Sequence, residues 1–94
     1  MSTGEAMNPV VSIIVLNYKG REDTLACLRS LEHLTYGNTH IILVDNESGD
    51  GTPGVVRTTR PNVTVIETGA NLGFTGGNNV GIRYALDHDA ERQN

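Results

Sequence analysis

The chain has 94 residues, a formal net charge of −4 at pH 7 and 37% hydrophobic residues. This length suits one small domain with a modest core, and the acidic balance without a basic run argues against nucleic acid as the main partner. The single cysteine excludes a disulfide framework and a cysteine-based zinc site. No segment approaches the ~18 apolar residues of a membrane span, and no signal-peptide pattern opens the chain. We therefore expect a cytoplasmic location.

The first third of the chain predicts a strand followed by a helix. Residues 1–9 are small and polar and predict a loose leader, whereas Val10–Leu16, which is apolar except for Ser12, predicts the first buried strand. In Arg21–Leu34 a leucine recurs at every third position from 25 onwards, which indicates a helix with an apolar stripe. Thr24 and Cys27 fill in this stripe, so we expect Cys27 to be a small buried hydrophobe rather than a nucleophile.

The middle of the chain predicts a second strand and a weak helix. The apolar segment of about His40–Val44 runs directly into a cluster of carboxylates, amides, hydroxyls and glycines that begins at Asp45. Thr52 is expected to be the N-cap of the next helix, with Pro53 at its first position and its end near Thr59.

The last third predicts a short strand over Val63–Glu67 and a helix after a glycine-rich segment. Thr75 is expected to cap this helix, which runs to about His88, and Gly81 on one face allows close approach to the sheet. Residues 87–94 are polar and predict no further element. Because strands and helices alternate, the crossovers should be right-handed and the sheet parallel. We predict a three-layer α/β/α, Rossmann-like domain with strand order 3-2-1.

Open parallel sheets bind ligands beyond the carboxyl ends of their strands, which places the candidate site after the first two strands. Asp45 at the end of the second strand can accept a hydrogen bond from a ring N–H, such as N3 of uracil or thymine. Asn17 and Tyr18 end the neighbouring first strand and can share that pocket. Gly73–Gly77 lets a backbone approach a ligand and leads into a helix N-terminus, which favours phosphate. The same residue types also suit turns and caps without a ligand, and that alternative stays open here.

Three common sites do not fit the spacing. The loop Asn17–Gly20 after the first strand has one glycine and lacks the dinucleotide-binding fingerprint, and the chain contains no P-loop sequence. A calcium loop that starts at Asn46 would place Arg57 at its twelfth position, where an acidic ligand is required. The histidines show no metal-ligand spacing and are interpreted as surface or structural residues: His33, His40 and His88.

Four segments, in this order along the chain, resemble a known family. They are Val11–Tyr18, Leu28–Leu31, Val44–Thr52 and Asn71–Gly81. Together they resemble the N-terminal half of a family 2 inverting glycosyltransferase of the GT-A fold, and the resemblance covers about residues 9–86. The Asn-Leu-Gly-Phe-Thr-Gly-Gly-Asn-Asn form is most similar to the bacterial rhamnosyltransferase-like and galactofuranosyltransferase-like branches.

The resemblance implies a nucleotide-diphosphate sugar as donor, either a UDP- or a dTDP-sugar. It implies that Asp45 contacts the base, that Asn17 and Tyr18 line the base and ribose, and that Asp50 braces its own loop. Many members carry an arginine where this chain has Asn78. The implied nucleotide-sugar-binding residues are Asn17, Tyr18, Asp45, Asn46, Asn71, Gly73, Gly76, Gly77 and Asn78.

For the parent protein, the resemblance implies displacement of a nucleoside diphosphate by a glycan or lipid-linked acceptor hydroxyl, with inversion at the sugar carbon. A general base and a divalent metal, Mg²⁺ or Mn²⁺, would drive the reaction in cell-wall or polysaccharide synthesis. The family's Asp-x-Asp metal motif follows a later strand, whereas Asp87-His88-Asp89 follows a helix. We therefore assign no catalytic residue or metal site to this chain and expect it to be inactive alone. A non-catalytic nucleotide-binding or interaction module is the alternative.

The family fold also predicts an exposed sheet edge. Its first strand pairs with a later strand, which this chain lacks, so Val10–Leu16 would present an unpaired edge that invites pairing between chains. Self-association into a homo-oligomer is therefore expected. The full-length protein is expected to be cytoplasmic, at the inner face of the membrane.

Overall fold

Three strands and three helices alternate along residues 10–33 and 38–89, the part of the chain that the computed structural model describes. Their bounds are β1 Val11–Asn17, α1 Arg21–Leu31, β2 Thr39–Asp45, α2 Thr52–Thr59, β3 Thr64–Glu67 and α3 Gly73–His88. The predicted alternation is confirmed. The expected leader, the end of the first helix at Leu34 and the last residues of the polar tail lie outside the described residues.

The three strands form one parallel sheet in the order β1-β2-β3, which confirms the predicted fold class and strand order. Asn17 pairs with Asp45, and Asp45 pairs with Glu67. The polar residues that end the strands therefore stand side by side at one edge of the sheet. This edge is where open parallel sheets bind their ligands.

Helices cover both faces of the sheet. Successive strand residues point to opposite sides, so each face presents its own set of side chains. On one face, Val15 and Leu43 pack against Leu28 of α1 and Val56 of α2. On the other face α3 lies so close that a Cβ at Gly81 would be 2.7 Å from Ile14 Cγ2 and 3.1 Å from Val44 Cγ2. The predicted close approach at Gly81 is confirmed, and the domain has three layers.

Two predictions about the first two helices are wrong. Cys27 is exposed rather than buried, because it lies about 100° around the helix from the buried Leu28. Thr52 is not the N-cap of α2. Gly51 holds that position with a φ of 78°, and the Thr52 N–H donates to Asp50 Oδ1 at 3.0 Å instead.

Two predictions about the last helix are also wrong. α3 begins at Gly73 rather than after Thr75, because the φ of 77° at Gly73 turns the chain directly into the helix. Thr75 is therefore an exposed residue of the first turn. Asp89, expected in a polar tail, is 3% exposed because its carboxylate bonds to residues of the sheet.

β1 lies at an edge of this sheet, and apolar side chains of α3 are exposed beside it. Ile82 and Leu86 are 45% and 70% exposed, and they line a pocket with Ile14. Because an unpaired edge beside an apolar patch invites association, we expect self-association at high micromolar concentration, measured by light scattering. Ile82→Lys should raise the monomer fraction. A monodisperse wild-type monomer would contradict this prediction.

Candidate functional site

A buried amide at the end of β1 holds the loop that follows β2. Asn17 is 1% exposed, and its Nδ2 donates to Asp45 Oδ1 at 2.7 Å and to Ser48 Oγ at 2.9 Å. Its Oδ1 accepts a hydrogen bond from Thr24 Oγ1 of α1 at 2.6 Å. Since both ends of the amide are engaged within the protein, Asn17 lies beneath the candidate site and orients Asp45.

Asp45 is 3% exposed, but its two carboxylate oxygens have different surroundings. Oδ1 accepts hydrogen bonds from Asn17 Nδ2 and Ser48 Oγ, whereas within the described ranges Oδ2 accepts one long bond, from the Ser48 N–H at 3.2 Å. A carboxylate offers about four acceptor positions, so Oδ2 retains capacity for a further donor. Asp45 also lines an open pocket of about 350 Å³, together with Pro53 and Glu67. An acceptor is therefore held at a pocket between the ends of β2 and β3.

Asp50 braces the same loop and the start of α2. Its Oδ1 accepts a hydrogen bond from the Thr52 N–H at 3.0 Å. Ser48 Oγ also lies 3.0 Å from this oxygen, which shares the single Ser48 hydroxyl hydrogen with Asp45 Oδ1. Burial raises the pKa of the Asp50 carboxyl, but hydrogen bonds from Thr52, Ser48 and Asn17 outweigh burial and lower the pKa from 3.8 to about 2. At neutral pH Asp50 is therefore a carboxylate that stabilises the loop.

Asn46 follows Asp45 but points to the opposite face of the sheet, as strand alternation requires. It is 1% exposed, and its Nδ2 donates to the Gly73 carbonyl at 2.9 Å. Its Oδ1 accepts a hydrogen bond from the Leu72 N–H at 3.4 Å and lies 3.2 Å from Thr68 Oγ1, whose nearest acceptor is the Ala70 carbonyl at 2.5 Å. Asn46 therefore ties the end of β2 to the loop before α3 and to the first residue of that helix.

The glycines after this loop have separate structural roles. A Cβ at Gly77 would lie 2.5 Å from Leu16 Cδ1 and 2.8 Å from Asn46 Nδ2, and a Cβ at Gly76 would lie 2.9 Å from Leu72 Cβ. Gly73 supplies the positive φ that opens α3. The absence of side chains at these positions lets the helix N-terminus pack directly against the end of β2.

The remaining predicted site residues lie around this centre without bonding to Asp45. Tyr18 is exposed after β1, with Lys19 Nζ 5.2 Å from its ring centroid. Asn71 is exposed, and its Oδ1 accepts a hydrogen bond from the Gly73 N–H at 3.0 Å. Asn78 is half-buried on α3. The structure thus joins Asn17 directly to Asp45 but places Tyr18, Asn71 and Asn78 on surrounding segments.

Three hydroxyl groups complete the network and were not predicted from the sequence. Ser48 bonds to Asp45 in a tight turn, which the Asp-x-x-Ser spacing of a side-chain-closed turn could have indicated. Thr24 bonds to Asn17, although its position in an apolar stripe suggested only packing. Thr68 donates near the end of β3, and no local pattern marks it.

The described residues do not fit the metal site that the family resemblance implies for the parent protein. In residues 10–33 and 38–89, no group of three or more histidine, cysteine or acidic side chains is arranged to hold a metal. Asp87 is exposed, whereas the Asp89 carboxylate is engaged with Ser12 Oγ and with His40 Nδ1, the latter at 2.7 Å. His40 Nε2 in turn lies 2.7 Å from Thr64 Oγ1. His40 is thus structural.

The described part of the chain also contains no helix long and apolar enough to cross a bilayer.

Comparison with known proteins gives one matching family model and relatives named as sugar transferases. The family model for glycosyl transferase family 2 matches residues 12–87. The low-salt glycan biosynthesis hexosyltransferase Agl10 of Haloferax volcanii is 36% identical over 77 residues, which cover 82% of this chain and 23% of the relative. An N-acetylglucosaminyl-diphospho-decaprenol L-rhamnosyltransferase of Mycobacterium tuberculosis is 35% identical over 68 residues, which cover 72% and 22% respectively. The chain spans about a quarter of the length of these curated relatives. Because the family match includes nearly every residue of the described sheet and helices, the chain belongs to glycosyl transferase family 2.

Proposed function

We propose that this chain is the donor-binding part of a glycosyltransferase and that it binds a nucleotide-diphosphate sugar whose base is uracil or thymine. The observation that carries the proposal is the Asp45 carboxylate, which is fixed by Asn17 and Ser48 at an open pocket. Its Oδ2 has the capacity to accept the N3–H of either base. Tyr18, exposed after the neighbouring strand, offers an aromatic face for the base or ribose.

The phosphate side of the proposed site is the first turn of α3. The N–H groups of a helix's first turn have no partner within the helix, and together with the helix dipole they favour anions. Gly73, Gly76 and Gly77 carry no side chain, and Asn71 and Asn78 flank them. A diphosphate bound here extends from a base at Asp45 towards the helix, because Asn46 holds the two segments together.

The proposal for the whole protein is inverting transfer of a sugar from this donor to a glycan or lipid-linked acceptor. The names of the relatives, a hexosyltransferase and an L-rhamnosyltransferase acting on a diphospho-decaprenol lipid, support this class of reaction. The 94-residue chain is expected to bind the donor without transferring the sugar. In this proposal the free acceptor capacity of Asp45 is taken by the base, and the Asp89 carboxylate is bonded to His40 and Ser12, so neither of these buried aspartates is placed to deprotonate an acceptor.

Asp45→Ala tests the proposal. Removing the acceptor leaves the ring N–H of the base without a partner, which costs roughly 1–3 kcal/mol, or about 5–150-fold in affinity. Isothermal titration with UDP and dTDP measures this loss. Asp87→Ala is the matched control, because it removes an exposed carboxylate from α3 and should leave the affinity unchanged.

Asp45 also accepts hydrogen bonds from Asn17 and Ser48, so circular dichroism must establish that the variant is folded before affinities are compared. Unchanged affinity for both nucleotides in folded Asp45→Ala would contradict base recognition. A wild-type chain that binds neither nucleotide would favour an interaction module without a nucleotide site. Turnover of a nucleotide sugar by the purified chain with Mg²⁺ or Mn²⁺ would contradict the expected inactivity.

A further inference from the structure

The side-chain amide of Asn46 joins two segments that are not paired through their backbones. The amide lies between the end of β2 and the start of α3, and both of its ends are hydrogen-bonded. We propose that Asn46 is a positioning residue that fixes the first turn of α3, Gly73–Gly77, for the phosphate-bearing part of a nucleotide without touching that ligand. The ligand class rests on the proposed function, whereas the link between Asn46 and α3 does not.

The neighbours of Asn46 require a donor and an acceptor together. The Gly73 carbonyl lies in the first turn of α3 and has a second lone pair beyond its helix bond, and Nδ2 donates to it at 2.9 Å. The Leu72 N–H needs an acceptor, and Oδ1 supplies it at 3.4 Å. A neutral amide offers both in one plane, whereas a carboxylate offers acceptors alone. A carboxylate at position 46 would therefore place a negative oxygen against the Gly73 carbonyl.

Packing leaves the amide little freedom to move away from this carbonyl. A Cβ at Gly77 would be 2.8 Å from Asn46 Nδ2 and 2.5 Å from Leu16 Cδ1, so α3 lies directly against both side chains. If the group at position 46 repels Gly73, the first turn of α3 has to shift, because the strand end is buried. In this proposal Asn46 therefore contributes to nucleotide binding indirectly, through the position of α3.

Few charged groups near position 46 would affect the pKa of a carboxyl introduced there. Asp45 is adjacent in sequence, but its carboxylate faces the opposite side of the sheet, where it bonds to Asn17. Glu67 ends β3, and its carboxylate is exposed and paired with Arg57 at 2.8 Å. An aspartate introduced at position 46 would therefore titrate chiefly under the influence of burial and the Gly73 carbonyl, and burial raises the pKa of a carboxyl.

Asn46→Asp in the full chain is the test, with UDP as the probe. At pH 7.5 the affinity of the variant relative to wild type should fall roughly 5–150-fold, the cost of an unmatched buried group. At pH 5 the protonated acid can donate to the Gly73 carbonyl again, so most of this loss should be recovered. Because the variant is compared with wild type at each pH, the effect of UDP protonation on affinity cancels. A loss caused by the missing amide alone, independent of charge, would show no such recovery.

Two control variants separate charge from position. Asn46→Ala cannot regain a donor, so its weakened affinity relative to wild type should be the same at pH 7.5 and pH 5. Asn79→Asp adds the same charge to an exposed position of α3 and should leave the affinity close to wild type. Backbone amide exchange of residues 68–80, measured by mass spectrometry against wild type at each pH, reports the position of the turn without any ligand.

Faster exchange in Asn46→Asp at pH 7.5, slowed again at pH 5 in parallel with UDP affinity, would support the proposal. Unchanged affinity, or a loss that pH 5 does not reverse, would overturn it. If the variant is unfolded at pH 7.5, refolding at pH 5 by circular dichroism replaces exchange as the readout, and failure to refold counts against the proposal. If wild type binds no nucleotide, the proposed function fails, and exchange alone decides whether Asn46 fixes the turn.

Discussion

Asp89→Ala is expected to lower the free energy of unfolding by roughly 3 kcal/mol, measured by urea denaturation. Asp89 and His40 are 3% and 6% exposed, and His40 Nδ1 lies 2.7 and 2.9 Å from the two carboxylate oxygens. Removing the carboxylate leaves a buried imidazole and the Ser12 hydroxyl without their partner. The loss is large because the imidazole is buried and loses a charged hydrogen-bond partner.

Arg57→Ala is the matched control for this prediction. It breaks an ion pair of nearly the same length, Arg57 Nη1 to Glu67 Oε2 at 2.8 Å, but both side chains are about half exposed. Exposed pairs contribute at most about 1 kcal/mol. Equal effects of the two substitutions would mean that Asp89 does not anchor α3. A double-mutant cycle with His40→Ala then measures the coupling within the buried pair directly.

Gly81→Ala is expected to destabilise the domain by about 1–3 kcal/mol, the usual cost of overpacking a core. The added methyl group would lie 2.7 Å from Ile14 Cγ2 and 3.1 Å from Val44 Cγ2, and both of these side chains are β-branched and stiff. Alanine favours helix over glycine by up to about 1 kcal/mol, but a methyl group that displaces α3 from the sheet costs more. Thermal or urea denaturation gives the difference.

Gly54→Ala provides the opposite case in α2. A Cβ there meets no atom of the described residues within 4 Å, so the same substitution is expected to stabilise by roughly 0.5–1 kcal/mol. The two variants should therefore shift the unfolding midpoint in opposite directions. A stabilising Gly81→Ala would show that α3 does not approach the sheet as closely as its contacts indicate.

Local patterns in the sequence predicted the elements and their order well. The consecutive apolar residues of β1 and β2, Ile13–Leu16 and Ile41–Val44, leave no polar face of the kind a surface helix shows, and the helix between them carries leucines at regular spacing. The position of Asp45 at a strand end followed from the same pattern. These features depend on residues that are neighbours in the chain, which is why they can be read from it.

The partners of buried polar groups could not be predicted in this way. Asn17 bonds to Asp45 across a separation of 28 residues, and His40 bonds to Asp89 across 49. Such pairs depend on how the helices fold back over the sheet, and amide and carboxylate side chains have the same local preference for turns whether they are buried or exposed. Asp89 therefore looked like a residue of a polar tail, and Asn17 like a residue open to a ligand.

The order of the elements also has a consequence during synthesis. Ile42 and Val44 are fully buried in the finished domain, but the face of β2 that holds Val44 is covered by α3, the last element in chain order. At roughly 5–20 residues per second, a ribosome needs about 1–3 s to make a helix of this length. Throughout that interval the nascent sheet has one bare apolar side. Among the described elements, this sheet is therefore most in need of chaperone protection just before α3 emerges.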